Sequence, residues 1–157
     1  MCIRDRQYVI KGIFIDGSPN WLTMDGYTGH GFTIKLSDCK TSVVGVRIKN
    51  VAHPYSSPAK RATKGFSVLG GLKDSGPWEQ LLKEEFDNPL LDGAPEPSLQ
   101  TFYFKEAVEM QFLRFDLDSY WGDKCGGLDY FAVITVAGNP CLILIDLYVS
   151  NRLVPIN

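Results

Sequence analysis

The sequence predicts an all-β protein built as an antiparallel sandwich or barrel. Three observations carry this reading. Apolar residues alternate with polar ones in several short runs, the period-two pattern of half-buried strands. Clusters of Gly, Pro, Asn, Asp and Ser separate those runs at short intervals. The sole helical candidate, Pro77–Phe86, is short and fits a strand followed by a polar bend equally well. Many short strands with frequent turns are the signature of sandwiches and barrels.

The elements follow in order. Phe32, Ile34 and Leu36 alternate with Thr33 and Lys35, and Val44, Val46 and Ile48 alternate with Gly45, Arg47 and Lys49. Phe66 and Val68 alternate with Gly65 and Ser67. Asp74-Ser-Gly-Pro77 then makes a turn, because Gly76 tolerates positive φ and Pro77 cannot donate to a ladder. Trp78 directly after this turn is expected to be a core anchor. Phe102 with Phe104, and Leu113 with Phe115 and Leu117, mark two more strands. Leu128 to Val136 is almost continuously apolar, as expected for a central strand buried on both faces. The run Cys141–Val149, broken by Asp146, is far below the ~18 apolar residues of a membrane span and reads as a last strand or a foreign tail.

At 157 residues, 45% hydrophobic and 12% aromatic, the chain suits one domain with a core and excludes disorder. A net charge of −2 gives no global field for nucleic acid. The charge is unevenly spread. Cys39 to Lys73 holds no acid but carries Lys40, Arg47, Lys49, Lys60, Arg61, Lys64 and Lys73, whereas Asp74 to Asp129 has thirteen acids against four bases. Pairing of these charges across neighbouring strands is the favoured reading. The sharper one is a basic patch suited to sulfated, sialylated or phosphorylated ligands. Met1-Cys-Ile-Arg-Asp-Arg6 is the in-frame translation of a transposase adapter and is set aside as an assembly scar. With Cys2 in that scar and Cys141 in the tail, Cys39 and Cys125 are left in the body. They have no C-x-x-C spacing, which argues against structural zinc. A Cys39–Cys125 disulfide and two separate buried thiols both stay open.

Placed in order, the pieces resemble the discoidin domain, also called the coagulation factor 5/8 type C domain, among the galactose-binding-like jelly rolls. Ile15-Asp16-Gly17 with Trp21 is similar to the family's opening, and Gly31–Leu36 and Val44–Asn50 to its following strands. Arg61–Val68 with Gly76-Pro-Trp78 resembles its strand, turn and tryptophan. Gln111-Phe-Leu-Arg-Phe115 resembles its late arginine-bearing strand, and Ser119–Gly122 with Gly126–Phe131 its closing strand. The match runs from about Gly12 to Gly138. It sets a domain over 7–138, truncated at its N-terminal side, with 139–157 as a tail of uncertain origin.

The resemblance implies a jelly-roll β-sandwich and a non-catalytic recognition or adhesion module. Such a module belongs to a larger extracellular or cell-surface protein and binds glycans, anionic headgroups or a protein partner. The alternatives are a purely structural or protein-interaction domain, and the accessory module of a larger enzyme. The ligand is expected at loops on one end of the sandwich. Tyr55, Lys60 and Arg61 are the first candidates, since an aromatic ring stacks on a sugar face while Arg forks to hydroxyls or an anion. Tyr27, His30 and Trp121 are the second. For each, the competing reading is an ordinary surface loop, or an Arg61 that holds down its neighbours.

The glycines around Tyr27 lack the Lys-Ser/Thr of a phosphate loop. Asp116, Asp118 and Asp123 lack calcium-loop spacing and read as a solvated face. In many relatives the residue matching Asp16 helps to hold a structural calcium with a glutamate on the closing strand. Here that glutamate position falls on Tyr130, with Asp129 out of register. No cofactor is therefore expected; Asp16 is the weak metal candidate, and capping of its own Asp-Gly turn is the preferred role.

Overall fold

The computed structural model describes residues 21–22, 28–29, 31–51, 61–122, 126–136, 146–149 and 152–154. Among them every regular element is a strand: β1 (Trp21–Leu22), β2 (Phe32–Lys35), β3 (Thr41–Asn50), β4 (Gly65–Gly71), β5 (Glu79–Glu85), β6 (Leu99–Met110), β7 (Phe112–Leu117), β8 (Gly127–Thr135), β9 (Asp146–Val149) and β10 (Arg152–Val154). They form two antiparallel sheets, four-stranded in the order β1-β8-β3-β6 and six-stranded in the order β10-β9-β2-β7-β4-β5. Within the segment 77–86 the strand β5 takes Glu79–Glu85, and residues 146–149 of the C-terminal stretch pair with β2 as β9.

The sheets meet through the side chains that the alternation predicts. Phe32, Ile34, Phe66, Val68, Leu113, Phe115 and Leu117 of the six-stranded sheet are buried. They face Val46, Ile48, Phe104, Leu128 and Phe131 of the other. Phe32 stacks on Phe115 at 5.3 Å and meets Phe131 edge-on at 5.1 Å, while Phe66 meets Phe102 edge-on at 5.2 Å. Each such pair adds about 0.5–1.5 kcal/mol to the burial of its rings.

Three details differ from the sequence reading. In β3 the buried set is Val43, Val46 and Ile48, with Val44 half-buried. The ladder explains this: Val43 pairs with Val108 and Gly45 with Tyr103, so residues 104–107 of β6 stand opposite Val44 alone. A bulge of this kind shifts the phase of alternation. Strand β8 is buried on one face and not on both, since Tyr130, Ala132 and Ile134 are half-buried on its outer side. Trp78 lies outside the buried core. Its indole is half-buried, packs on Gly71 and Gly76, and carries the Arg114 guanidinium 5.9 Å from the ring centroid. The chain reaches it through a tight turn closed by Gly76 N–H to Lys73 O at 3.1 Å, with Gly76 at φ +86°.

Candidate ligand-binding end of the sandwich

The expected site residues Tyr27, His30, Tyr55 and Lys60, and the weak metal candidate Asp16, lie outside the described residues. Their described neighbours do come together. Gly29 N–H donates to Leu117 O at 2.6 Å, where β7 ends. Val51 follows the end of β3, and residues 61–64 lead into β4. Lys64 N–H bonds Ser119 O at 2.9 Å, and Trp121 N–H bonds Ala62 O at 2.8 Å. Segments 28–29, 51, 61–64 and 118–122 therefore share one end of the sandwich.

A buried polar network fixes that end. The Asn50 side-chain amide donates to Thr63 O at 2.9 Å and accepts from Thr63 N–H at 3.0 Å. The Thr63 hydroxyl in turn bonds Gly127. These bonds satisfy backbone groups that would otherwise be buried without partners.

Arg61 and Trp121 belong to this framework. Arg61 is 8% exposed and engaged within the protein, so its guanidinium does not stand out over the loops. Trp121 donates its indole N–H to Phe86 O at 3.0 Å, and Lys64 Nζ lies 4.6 Å from its ring centroid. One ring face is thus already occupied by a cation, a contact of about 0.5–1 kcal/mol where exposed.

Other charges sort differently from the favoured expectation. Ion pairs among the described residues are Lys35–Asp38 and Arg114–Asp116, the latter at 2.6 Å. Arg47, Lys49 and Lys64 have no ion-pair partner among the described residues. Asp118 accepts from the Ser67 hydroxyl at 2.6 Å. A hollow of ≈ 520 Å³ lined by Gly65, Lys83, Glu84, Glu85, Asp118 and Ser119 is acid-rich. Among the described residues no group of three His, Cys, Asp or Glu side chains is placed to hold a metal ion. Cys39 is disulfide-bonded, which removes the separate-thiol alternative for it; its partner lies outside the described residues.

Sequence reasoning missed one concavity beside this end. Lys49, Pro97, Ser98, Leu99 and Tyr130 line a depression of ≈ 230 Å³ on the outer side of the four-stranded sheet. The available signal was Tyr130, a polar-tipped residue interrupting the apolar run of β8.

No protein-family model matches the sequence, and no curated protein does. Solved structures do match. CBM32-3 from a family 31 glycoside hydrolase of Clostridium perfringens aligns at 15% identity over 85% of this chain and 85% of its own, with a TM-score of 0.55. The CBM32 of AlyQ, solved in complex with 4,5-unsaturated mannuronic acid, aligns at 15% identity over 85% of this chain and 92% of its own, with a TM-score of 0.54. The F5/8 type C domain of a Bacteroides fragilis protein aligns at 15% identity over 84% of this chain and 87% of its own, with a TM-score of 0.55. A looser match, at 10% identity and a TM-score of 0.45, is the C-terminal domain of a Bacteroides fragilis chitobiase, of which this chain spans 58%. The fold is that of discoidin-like sandwiches, as the ordered motifs imply.

Proposed function

Taking the discoidin-like fold as the premise, we propose that this chain is a non-catalytic carbohydrate-binding module. It serves a larger protein that acts outside the cell, as an adhesion domain or as the accessory module of an enzyme. Its preferred ligands are anionic glycans. The observation that carries the reading is that CBM32 domains share this sandwich over 85% of the chain, and that one of them is held with a uronic acid. Fold alone does not assign function, so the local features matter too. The end where segments 28–29, 51, 61–64 and 118–122 meet is stapled by buried hydrogen bonds. Such a frame holds loops in place for recognition. Arg47, Lys49 and Lys64, without ion-pair partners among the described residues, favour an acidic ligand over a neutral one.

A glycan array probed with the full chain tests the reading. Glycans bearing carboxylate or sulfate should outbind neutral galactosides. Their binding should weaken with salt, because exposed charges are screened over about 8–10 Å at physiological ionic strength. Binding to neutral glycans alone would remove the anionic preference. Failure to bind any glycan would leave the structural or protein-interaction reading in its place.

A further inference from the structure

We propose a second binding surface, separate from the loops: the outer face of the four-stranded sheet is a track for a polysaccharide chain bearing uronic acids. This rests on the reading of the chain as a carbohydrate-binding module.

The ladder registers build the track. Lys49 stands opposite Tyr130 on one side and Leu99 on the other. Two residues back along β3, Arg47 stands between Ala132 and Thr101, and Gly45 between Ile134 and Tyr103. Side chains two apart share a face, so these three rows line one surface. It is about 13 Å long at ~3.3 Å per residue and about 10 Å wide at ~4.8 Å between strands. Its first row is the rim of the ≈ 230 Å³ depression that Pro97 and Ser98 complete.

The surface has the three properties such a ligand requires. The first is unspent positive charge. Neither Arg47 nor Lys49 has an ion pair among the described residues, and Arg47 only reaches Thr101 Oγ1 at 3.4 Å through its Nε. Among the described residues nothing pairs with the rest of the guanidinium fork, which suits a carboxylate in the bidentate geometry that arginine favours. The second is apolar area in the right place. Tyr103 is 68% exposed and Leu99 45% exposed, and register puts them in the two end rows of this one surface. Tyrosine rings stack on the apolar faces of pyranoses while their hydroxyls remain in reach of water and sugar. The third is access. Gly45 presents no side chain, and an added Cβ would lie 2.3 Å from Phe102 O, so the floor between Ile134 and Tyr103 stays low.

Charges around the track confine the ligand to it. Of the acids near the track in sequence, Asp129 precedes Tyr130 at the β8 register shift and is engaged in a contact of its own, whereas Glu96, just before Pro97, and Glu106 and Glu109, at the far end of β6, lie beyond its two ends. These glutamates bracket the two cations and would repel a polyanion that strayed beyond them.

The probe is a size-defined oligogalacturonate, with its fully methyl-esterified form as the uncharged control. Titration of the full chain by calorimetry should show binding of the acid form and little of the ester. The double variant Arg47→Gln/Lys49→Gln should weaken binding at least tenfold, and Tyr103→Ser severalfold. Lys73→Gln/Lys83→Gln removes the same net charge from exposed sites outside the track and should change affinity by less than twofold. Amide signals of residues 45–49, 99–103 and 130–134 in the unaltered chain should shift on titration, a readout that does not depend on any variant folding. Equal losses in the two double variants, or none in the first, would overturn the track. So would shifts confined to residues 61–64 and 118–122. If the chain binds a neutral glycan but not oligogalacturonate, the track fails and the module reading stands; if it binds no glycan, both fail. Should the chain dimerise and Tyr103→Ser make it monomeric, the face is a contact between copies and the proposal falls.

Discussion

The Thr63 hydroxyl and the backbone of Gly127 are hydrogen-bonded in both directions, donating to the carbonyl at 2.7 Å and accepting from the N–H at 3.1 Å. One side chain thus replaces a missing ladder partner where β8 begins. Thr63→Val keeps the shape and removes the hydroxyl, leaving both Gly127 groups buried and unbonded. The expected loss is about 2–6 kcal/mol in urea denaturation, at about 1–3 kcal/mol for each of the two buried groups left unsatisfied. A change below 0.5 kcal/mol, the usual scatter of surface substitutions, would mean that water replaces the hydroxyl.

Gly45 lies hard against the backbone of β6. A Cβ there would sit 2.3 Å from Phe102 O and 3.1 Å from Tyr103 Cα, both backbone atoms. Gly45→Ala should therefore push β6 away from β3 and cost about 1–3 kcal/mol, the range for overpacking. Hydrogen exchange should show faster amides in 99–103 before any change elsewhere. Unaltered protection there would contradict the close approach.

Trp78 and Phe66 should differ clearly on truncation. Phe66 is fully buried among Phe86, Phe102 and Phe115. Phe66→Ala is expected to cost about 3–5 kcal/mol. Trp78 is half-buried over Gly71 and Gly76, so Trp78→Ala is expected to cost about 1–2 kcal/mol, in proportion to its smaller buried area. Equal costs would place Trp78 back in the core.

The disulfide of Cys39 should not lead to Cys125. Cys39 comes just before β3, whereas Gly126 comes just before β8 at the opposite end, because Asn50 pairs with Leu128 and Val43 with Thr135. The ten residues of β3 span about 33 Å. A disulfide requires Cα atoms within about 7 Å. Peptide mapping without reduction should recover Cys39 joined to another cysteine; a Cys39–Cys125 peptide would refute the register of β3 against β8.

Chelation should leave the melting temperature unchanged. The reason is the sequence reading, in which the acidic calcium position that the resemblance implies falls on Tyr130; in the ladder Tyr130 stands opposite Lys49. A fall in melting temperature that calcium reverses and magnesium does not would show a metal site.

The strands were legible in the sequence where the buried set keeps period two. Phe32 with Ile34, and Leu113 with Phe115 and Leu117, fall on the core side as read. Where phase breaks, the reading breaks: nothing in Val43-Val44 announces that residues 104–107 leave the ladder. Trp78 shows a second limit. A turn can be recognised from Asp74-Ser-Gly-Pro77, but not which sheet face the following ring will cover. The charge asymmetry was visible as a count, and its geometry was not. Arg47 and Lys49 become a surface only when register sets them between Tyr130, Thr101 and Leu99. Arg61 was read either as a fork for a ligand or as an arginine that holds down its neighbours, and its 8% exposure is not written in its own stretch of sequence.

Among the described strands β6 borders the four-stranded sheet with β3 as its one neighbour, and its residues 104–107 depart from the ladder. Lys105 and Glu106 are exposed on that departure. An uninterrupted border of twelve residues would offer a template on which the same strand of another molecule could add. The break and its two charges interrupt that template near its middle. Many copies crowded on one polymer would thus stay separate particles, without growing into a shared sheet.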